Sequence, residues 1–165
     1  MSLSAAFQAG FTRRWHTNPA LAHTNDRIDG HAGRVARIIL MMHPSPSLEL
    51  IRAALIHDDG ENLTGDLPGP FKAAMPPEVG RHFDRAESAE IIDIWGRGFR
   101  LTPREVEWLK FADRLDAFMW CAWHARNRLG GDGWPECGEW LTATAVKLGV
   151  PNIICDKDGV NDATS

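Results

Sequence analysis

Apolar residues recur at helical spacing along most of the chain, in runs separated by short polar or Gly/Pro-rich breaks. Residues 1–12 read as a short first helix or a mobile lead-in. They run into Arg13-Arg14-Trp15-His16-Thr17-Asn18-Pro19, where the proline biases the backbone away from helix. Asp29-Gly30 can open a helix over about residues 30–42. On it His31, Val35, Ile38 and Met42 fall at i, i+4, i+7 and i+11, which predicts one inward stripe headed by a histidine. His43-Pro44-Ser45-Pro46 breaks the chain. Ser47 then caps a helix over about residues 48–58 that roughly aligns Leu48, Ile51, Leu55 and Asp58.

The stretch from Gly60 to Pro70 is rich in Gly and Pro and reads as a loop at the surface or lining a pocket. Pro76-Pro77 opens a long helix to about residue 95, turned inward through Val79, Phe83, Ala86 and several of Ile91, Ile92 and Ile94, and ended at Gly96-Arg97-Gly98. Thr102-Pro103-Arg104-Glu105 is a strong start signal, with Thr as cap, Pro at the first helical position and Glu three after the cap. That helix is expected to reach about residue 128, with Val106, Leu109, Asp113 and Trp120 inside. A last helix is expected over about residues 136–148. No segment alternates with period two for long, and no internal repeat is visible. The expectation is an all-α fold of five to seven helices around one core, with residues 1–150 as one domain and 151–165 as a loose C-terminal tail.

Bulk composition narrows the function classes. The 165 residues are 44% hydrophobic and 24% charged, the make-up of an ordinary globular domain. A net charge of −4 argues against a broad basic surface for a nucleic-acid polymer, but leaves room for small anionic ligands held by a local cation cluster. No apolar run approaches the roughly 18 residues needed to span a bilayer, so no membrane partner is expected. The N-terminal MSLSAAFQAGFTRRW lacks the charge-then-apolar order of a signal peptide, which suggests a cytoplasmic protein. Cys121, Cys137 and Cys155 are odd in number without metal-ligand spacing, and read as free thiols.

Chemistry concentrates where polar groups interrupt apolar stripes. His31 heads one such stripe, His57-Asp58 ends another, and Asp113 lies within a third. Desolvating a lone charge is costly, so such groups must be paired or bind metal. Two imidazoles and two carboxylates on three helices can be aimed at a common point, as in the metal sites of helical bundles. Mixed nitrogen and oxygen donors suit a divalent ion (Zn, Mn, Co, Fe or Ni, with Mg as a candidate second ion), and the donor set does not choose among them.

The order His31 … His57-Asp58 … Asp113 resembles the HD-domain metal-dependent phosphohydrolases. The block His57-Asp58-x-x-Glu61-x-Leu63-Thr64-Gly65-Asp66-Leu67-Pro68-x-Pro70-x-Lys72 is similar to the bacterial 5'-deoxynucleotidase branch and to the phage deoxyadenosine triphosphate triphosphohydrolases allied with it. Arg14-Trp15 and Lys110-x-Ala112-Asp113 match as well, so the resemblance covers most of residues 13–125. One departure is Gly30, where relatives often carry Glu. The resemblance implies a single HD-domain helical bundle with His31, His57, Asp58 and Asp113 as metal ligands. It further implies that Glu61 orients or deprotonates the attacking water, that Asp66 binds sugar or assists as acid or base, and that Lys72 and Lys110 meet phosphate. Arg14 would contact substrate and Trp15 would pack on the deoxyribose. The implied function is hydrolysis of a 2'-deoxyribonucleotide, foremost of a monophosphate to deoxynucleoside and phosphate. The alternatives are a phage-type triphosphohydrolase releasing triphosphate, which would place the protein in a host cytoplasm, and a non-catalytic nucleotide-binding module. Relatives associate, so a homo-oligomer is implied too.

Overall fold

The computed structural model describes residues 1–150 and 153–162. The chain is mostly helical, as expected, and none of its described helices is long and apolar enough to cross a membrane. It divides into two compact units. Unit 1 comprises Met1–Gly33 and Arg52–Arg100, and unit 2 comprises Arg34–Ile51 and Leu101–Ser165.

Unit 1 contains α1 (Leu3–Ala9), the first residues of α2 (Ile28–Met42), the end of α3 (Leu48–Ile56), α4 (Glu61–Thr64), α5 (Gly69–Ala74) and α6 (Pro77–Trp95). Ser2 caps α1 by accepting from the Ala5 N–H at 3.2 Å, while its own N–H donates to the Ile94 carbonyl at 2.8 Å. The start of the chain is therefore fastened to the end of α6. Helix α6 begins with Pro77 at its first position and stops at Gly96, whose φ of 73° suits a residue without Cβ. Ile91 and Ile94 are buried on it, but Val79 and Ile92 are exposed, so only part of the expected stripe packs.

Helix α3 departs more clearly. Leu50, Ala53 and Ala54 are buried at i, i+3 and i+4, and His57 follows at i+7, whereas Leu48 is 81% exposed and Leu55 is exposed as well. Apolar residues occupy both of its faces, so spacing alone cannot tell which one packs. The loop after α3 is more ordered than its Gly/Pro content suggests, since it forms α4 and α5. A Cβ on Gly60 would lie 2.3 Å from the Glu87 carbonyl oxygen, so this glycine lets the turn before α4 approach α6.

Unit 2 contains the rest of α2, the start of α3, α7 (Pro103–His124), α8 (Trp134–Leu148), β1 (Ile153–Asp156) and β2 (Gly159–Asp162). The capping box at Thr102 forms as predicted: the Glu105 N–H donates to Thr102 Oγ1 at 3.2 Å and the Thr102 N–H to Glu105 Oε2 at 2.8 Å. Helix α7 ends at His124, short of the expected residue 128, and residues 126–128 tighten into a 3-10 turn. Its buried face is Trp108, Phe111, Ala112, Leu115, Phe118 and Cys121, with Val106 exposed and Leu109 and Trp120 only partly buried. The larger aromatic side chains bury more apolar area than Val106 and Leu109 and set the rotation of the helix.

The stretch expected to be a loose tail contains an antiparallel hairpin, a departure from a purely α fold. Ile153 pairs with Asp162 and Asp156 with Gly159, around a turn in which Asp156 Oδ1 accepts from the Asp158 N–H at 2.8 Å. Ile153 and Cys155 are buried and alternate with exposed neighbours, and the Cys155 N–H donates to Thr142 Oγ1 on α8 at 3.1 Å. Residues 151–152 and 163–165 of the expected tail lie outside the described residues. The three thiols are free, as expected.

Candidate metal centre

In unit 1 the site grows from the ends of two helices. Near the start of α2 the Ile28 N–H donates to the Thr12 carbonyl at 3.1 Å, and the Asp29 N–H to Gly10 at 3.2 Å. These bonds hold the incoming chain against the helix that carries His31, whose side chain is fully buried. His57 and Asp58 stand in the turns just past α3. The Asp58 carboxylate lies between the two imidazoles: Oδ2 is 3.3 Å from His31 Nε2 and Oδ1 is 3.4 Å from His57 Nε2. The two ring centroids are 5.3 Å apart and the planes are inclined by 51°.

His57 Nδ1 is 3.1 Å from the Ala54 carbonyl oxygen. A carbonyl can only accept, so Nδ1 carries a proton in that bond, and in the neutral imidazole the lone pair is then on Nε2. That Nε2 is buried without a hydrogen bond and faces a carboxylate oxygen. Two lone-pair atoms in such contact call for a cation or a proton between them. The residues therefore fit a metal ion by their own chemistry. Within unit 1, His31, His57 and Asp58 offer donor atoms that could hold one.

Charges around the group are strongly biased. Burial works to raise the Asp58 pKa, but His57, His31 and Arg14 together hold it well below the ordinary carboxylate range. Glu61, the first residue of α4, is 5% exposed. Its burial and the nearby Asp58 carboxylate push its pKa up to about 8, against the pull of Lys72. Lys72, on α5, donates from Nζ to Glu61 Oε1 at 3.0 Å. Burial works to lower its pKa, but Glu61, Glu87 and Asp58 together raise it above the ordinary lysine value. Glu61 Oε2 is buried with no hydrogen-bond partner among the described residues.

A second set of side chains holds Arg14 and Trp15. Asp26, only 3% exposed, accepts at Oδ2 from Arg14 Nη1 and from Trp15 Nε1, each at 3.1 Å. Asp66 Oδ2 accepts from the Trp15 backbone N–H at 3.1 Å. Trp15 itself has φ of 61°, a left-handed conformation disfavoured for a bulky side chain and fixed here by bonds at both its amide and its indole. The Arg14 guanidinium lies 5.0 Å from the Trp15 ring centroid.

In unit 2, Asp113 is partly buried on α7 beside buried Phe111 and Ala112. Lys110, one turn earlier, is exposed and lines a groove of about 410 Å³ with Arg104, Glu107, Trp140 and Lys147. Thus, of the residues singled out from the sequence, His31, His57, Asp58, Glu61 and Lys72 lie in one network of contacts and charges. Arg14, Trp15 and Asp66 form an adjoining one, linked through the influence of Arg14 on Asp58 and of Asp66 on Glu61.

Sequence reasoning missed three carboxylates. Asp26 lies in a polar stretch that gives no periodic signal. Asp59 is buried and accepts from the Trp95 indole at 2.7 Å, with its pKa pushed up to about 6 chiefly by burial. Asp116 falls three residues after Asp113 on the same apolar helix, a spacing that could have flagged it, and it receives Arg34 at both oxygens. No family model, curated protein or solved structure matches the chain.

Proposed function

We propose that this protein is a metal-dependent phosphohydrolase of the HD-domain class that acts on 2'-deoxyribonucleotides, with His31, His57, Asp58 and Asp113 as the ion's ligands. The observation that carries the reading is the buried His57 Nε2, which faces Asp58 without a hydrogen bond while Nδ1 is committed to a carbonyl. A divalent ion held by these donors supplies Lewis-acid polarisation of a phosphoryl oxygen and a more acidic water. The remaining work belongs to the chain. Glu61, with its pKa near the neutral range and a free Oε2, takes the proton of the water whose oxygen attacks phosphorus. The bond from phosphorus to the sugar O5' breaks, and that oxygen leaves as the deoxynucleoside hydroxyl after taking up a proton. Lys72 holds the other Glu61 oxygen and so fixes that carboxylate's orientation. Arg14 supplies positive charge near Asp58, and Trp15 offers a rigid indole to the sugar. Lys110, exposed on α7, is assigned to the substrate phosphate.

The foremost substrate is a deoxynucleoside monophosphate, hydrolysed to deoxynucleoside and phosphate. The test incubates the purified chain and a His57→Ala, Asp58→Ala variant with Mn or Co and each deoxynucleoside mono- and triphosphate. Phosphate, deoxynucleoside and triphosphate are scored separately. The expected result is phosphate release by the wild type and background rates from the variant. Equal rates from the two proteins would end the enzymatic reading, and triphosphate as sole product would move the substrate to the nucleoside triphosphates.

A further inference from the structure

Within unit 2, α2 and α7 border a second concave site that shares no residue with the candidate metal centre. It has a volume of about 400 Å³. One wall is prebuilt. Asp116, almost fully buried, accepts from Arg34 Nε at 2.6 Å and from Arg34 Nη2 at 3.1 Å. That fork fixes the Arg34 guanidinium, which lies 4.1 Å from the Trp120 ring centroid. The Trp120 ring in turn lies 4.3 Å from that of His124. A guanidinium, an indole and an imidazole are thereby arranged along one side before any ligand arrives.

The rim is unsatisfied. Trp123 is 87% exposed, and neither a ring contact nor a hydrogen bond engages its indole among the described residues. Arg37 is exposed and makes neither a hydrogen bond nor an ion pair among the described residues. The one carboxylate in the lining, Asp116, is already committed to Arg34. The open cavity therefore offers aromatic surface together with an uncompensated positive charge. A purely apolar occupant would cover Arg37 without pairing it, which is unfavourable. A cationic occupant would meet Arg37 as a like charge. A planar aromatic ring that carries a negative group satisfies both features.

We propose that this cavity binds a nucleotide, with the base stacked on Trp123 and the phosphate held by Arg37 and His124. The site does not depend on the phosphohydrolase reading, because none of its residues belongs to that machinery. The His57→Ala, Asp58→Ala protein is therefore the background for the test. Titration calorimetry with deoxyadenosine monophosphate should give a saturable site in that protein. Adding Trp123→Ala or Arg37→Glu should weaken it by about tenfold or more, the scale of a lost stacking or charge contact. Arg37→Lys should restore part of the loss. Deoxyadenosine alone and inorganic phosphate alone should each bind less tightly than the nucleotide. Both variants change exposed side chains, and circular dichroism checks that they fold. Absence of nucleotide binding in the double variant, or equal affinity in all the variants, would overturn the proposal. So would sedimentation showing an oligomer that Trp123→Ala dissolves, because a second copy would then fill the cavity. None of these results bears on phosphate release by the wild type, so the two readings fail separately.

Discussion

Glu61 is where a single side chain most clearly couples fold to chemistry. Its carboxyl titrates near 4.5 in the unfolded chain and is pushed up to about 8 in the fold, by burial first and by Asp58 second. The ammonium of Lys72 at 3.0 Å opposes this, but that lysine is partly exposed and its field is screened. Between those two pH values the folded protein holds more protons than the unfolded one, so Glu61 lowers stability progressively as pH rises from about 4.5 to 8. Glutamine does not titrate. In metal-free protein, urea titrations of Glu61→Gln against wild type should show a stability difference that shifts in favour of the variant across that window and stays level below it. A difference independent of pH would mean that Glu61 ionises normally in the fold. The same substitution should remove most of the hydrolytic rate, because the amide cannot take a proton.

At the scale of elements, the longer helices were legible, whereas the short α4 and α5 and the rotation of α3 and α7 were not. The capping box at Thr102, the proline starts of α6 and α7 and the glycine stop at Gly96 are local signals, and all three are realised. The packed faces of α3 and α7 differ from expectation because both helices carry apolar residues on more than one side. Burial then follows contacts that a single stripe cannot reveal: Leu50, Ala53 and Ala54 pack rather than Leu48 and Leu55. His57 and Asp58 were legible as a polar pair ending an apolar run. The left-handed Trp15 and its clamp by Asp26 and Asp66 were not, since they depend on residues far apart in sequence. The hairpin was missed for its brevity, although Lys157-Asp158-Gly159 is a recognisable turn. Its seat on α8 makes a test. A Cβ on Gly138 would fall 2.6 Å from the Cys155 carbonyl oxygen, a backbone atom that cannot rotate away. Gly138→Ala should cost about 1–3 kcal/mol by overpacking. Hydrogen exchange should show faster exchange at residues 153–156, and unchanged protection there would mean that the hairpin is not seated on this glycine.

For the whole molecule the decisive quantity is how the proposed ion couples to folding. A carboxylate held ionised between two imidazoles, with the buried His57 Nε2 turned toward it, is an arrangement that the unfolded chain does not possess. An ion that recognises these donors binds the folded chain in preference and stabilises it by mass action. At a free concentration a hundredfold above its dissociation constant the gain is about 2.7 kcal/mol. For a chain of this length that corresponds to a rise in melting temperature of roughly 5–10 °C. Mn, Co and Zn should each raise the Tm of protein stripped with a chelator, and the chelator should reverse the shift. The His57→Ala, Asp58→Ala variant should show no shift, while Asp113→Ala should reduce it if that residue is the fourth ligand. Because melting is read without substrate, a metal-dependent rise alongside failed hydrolysis would preserve the centre and discard the reaction. A wild-type melting curve that none of these ions moves would remove the centre itself, since donors so placed cannot hold an ion without favouring the fold that assembles them.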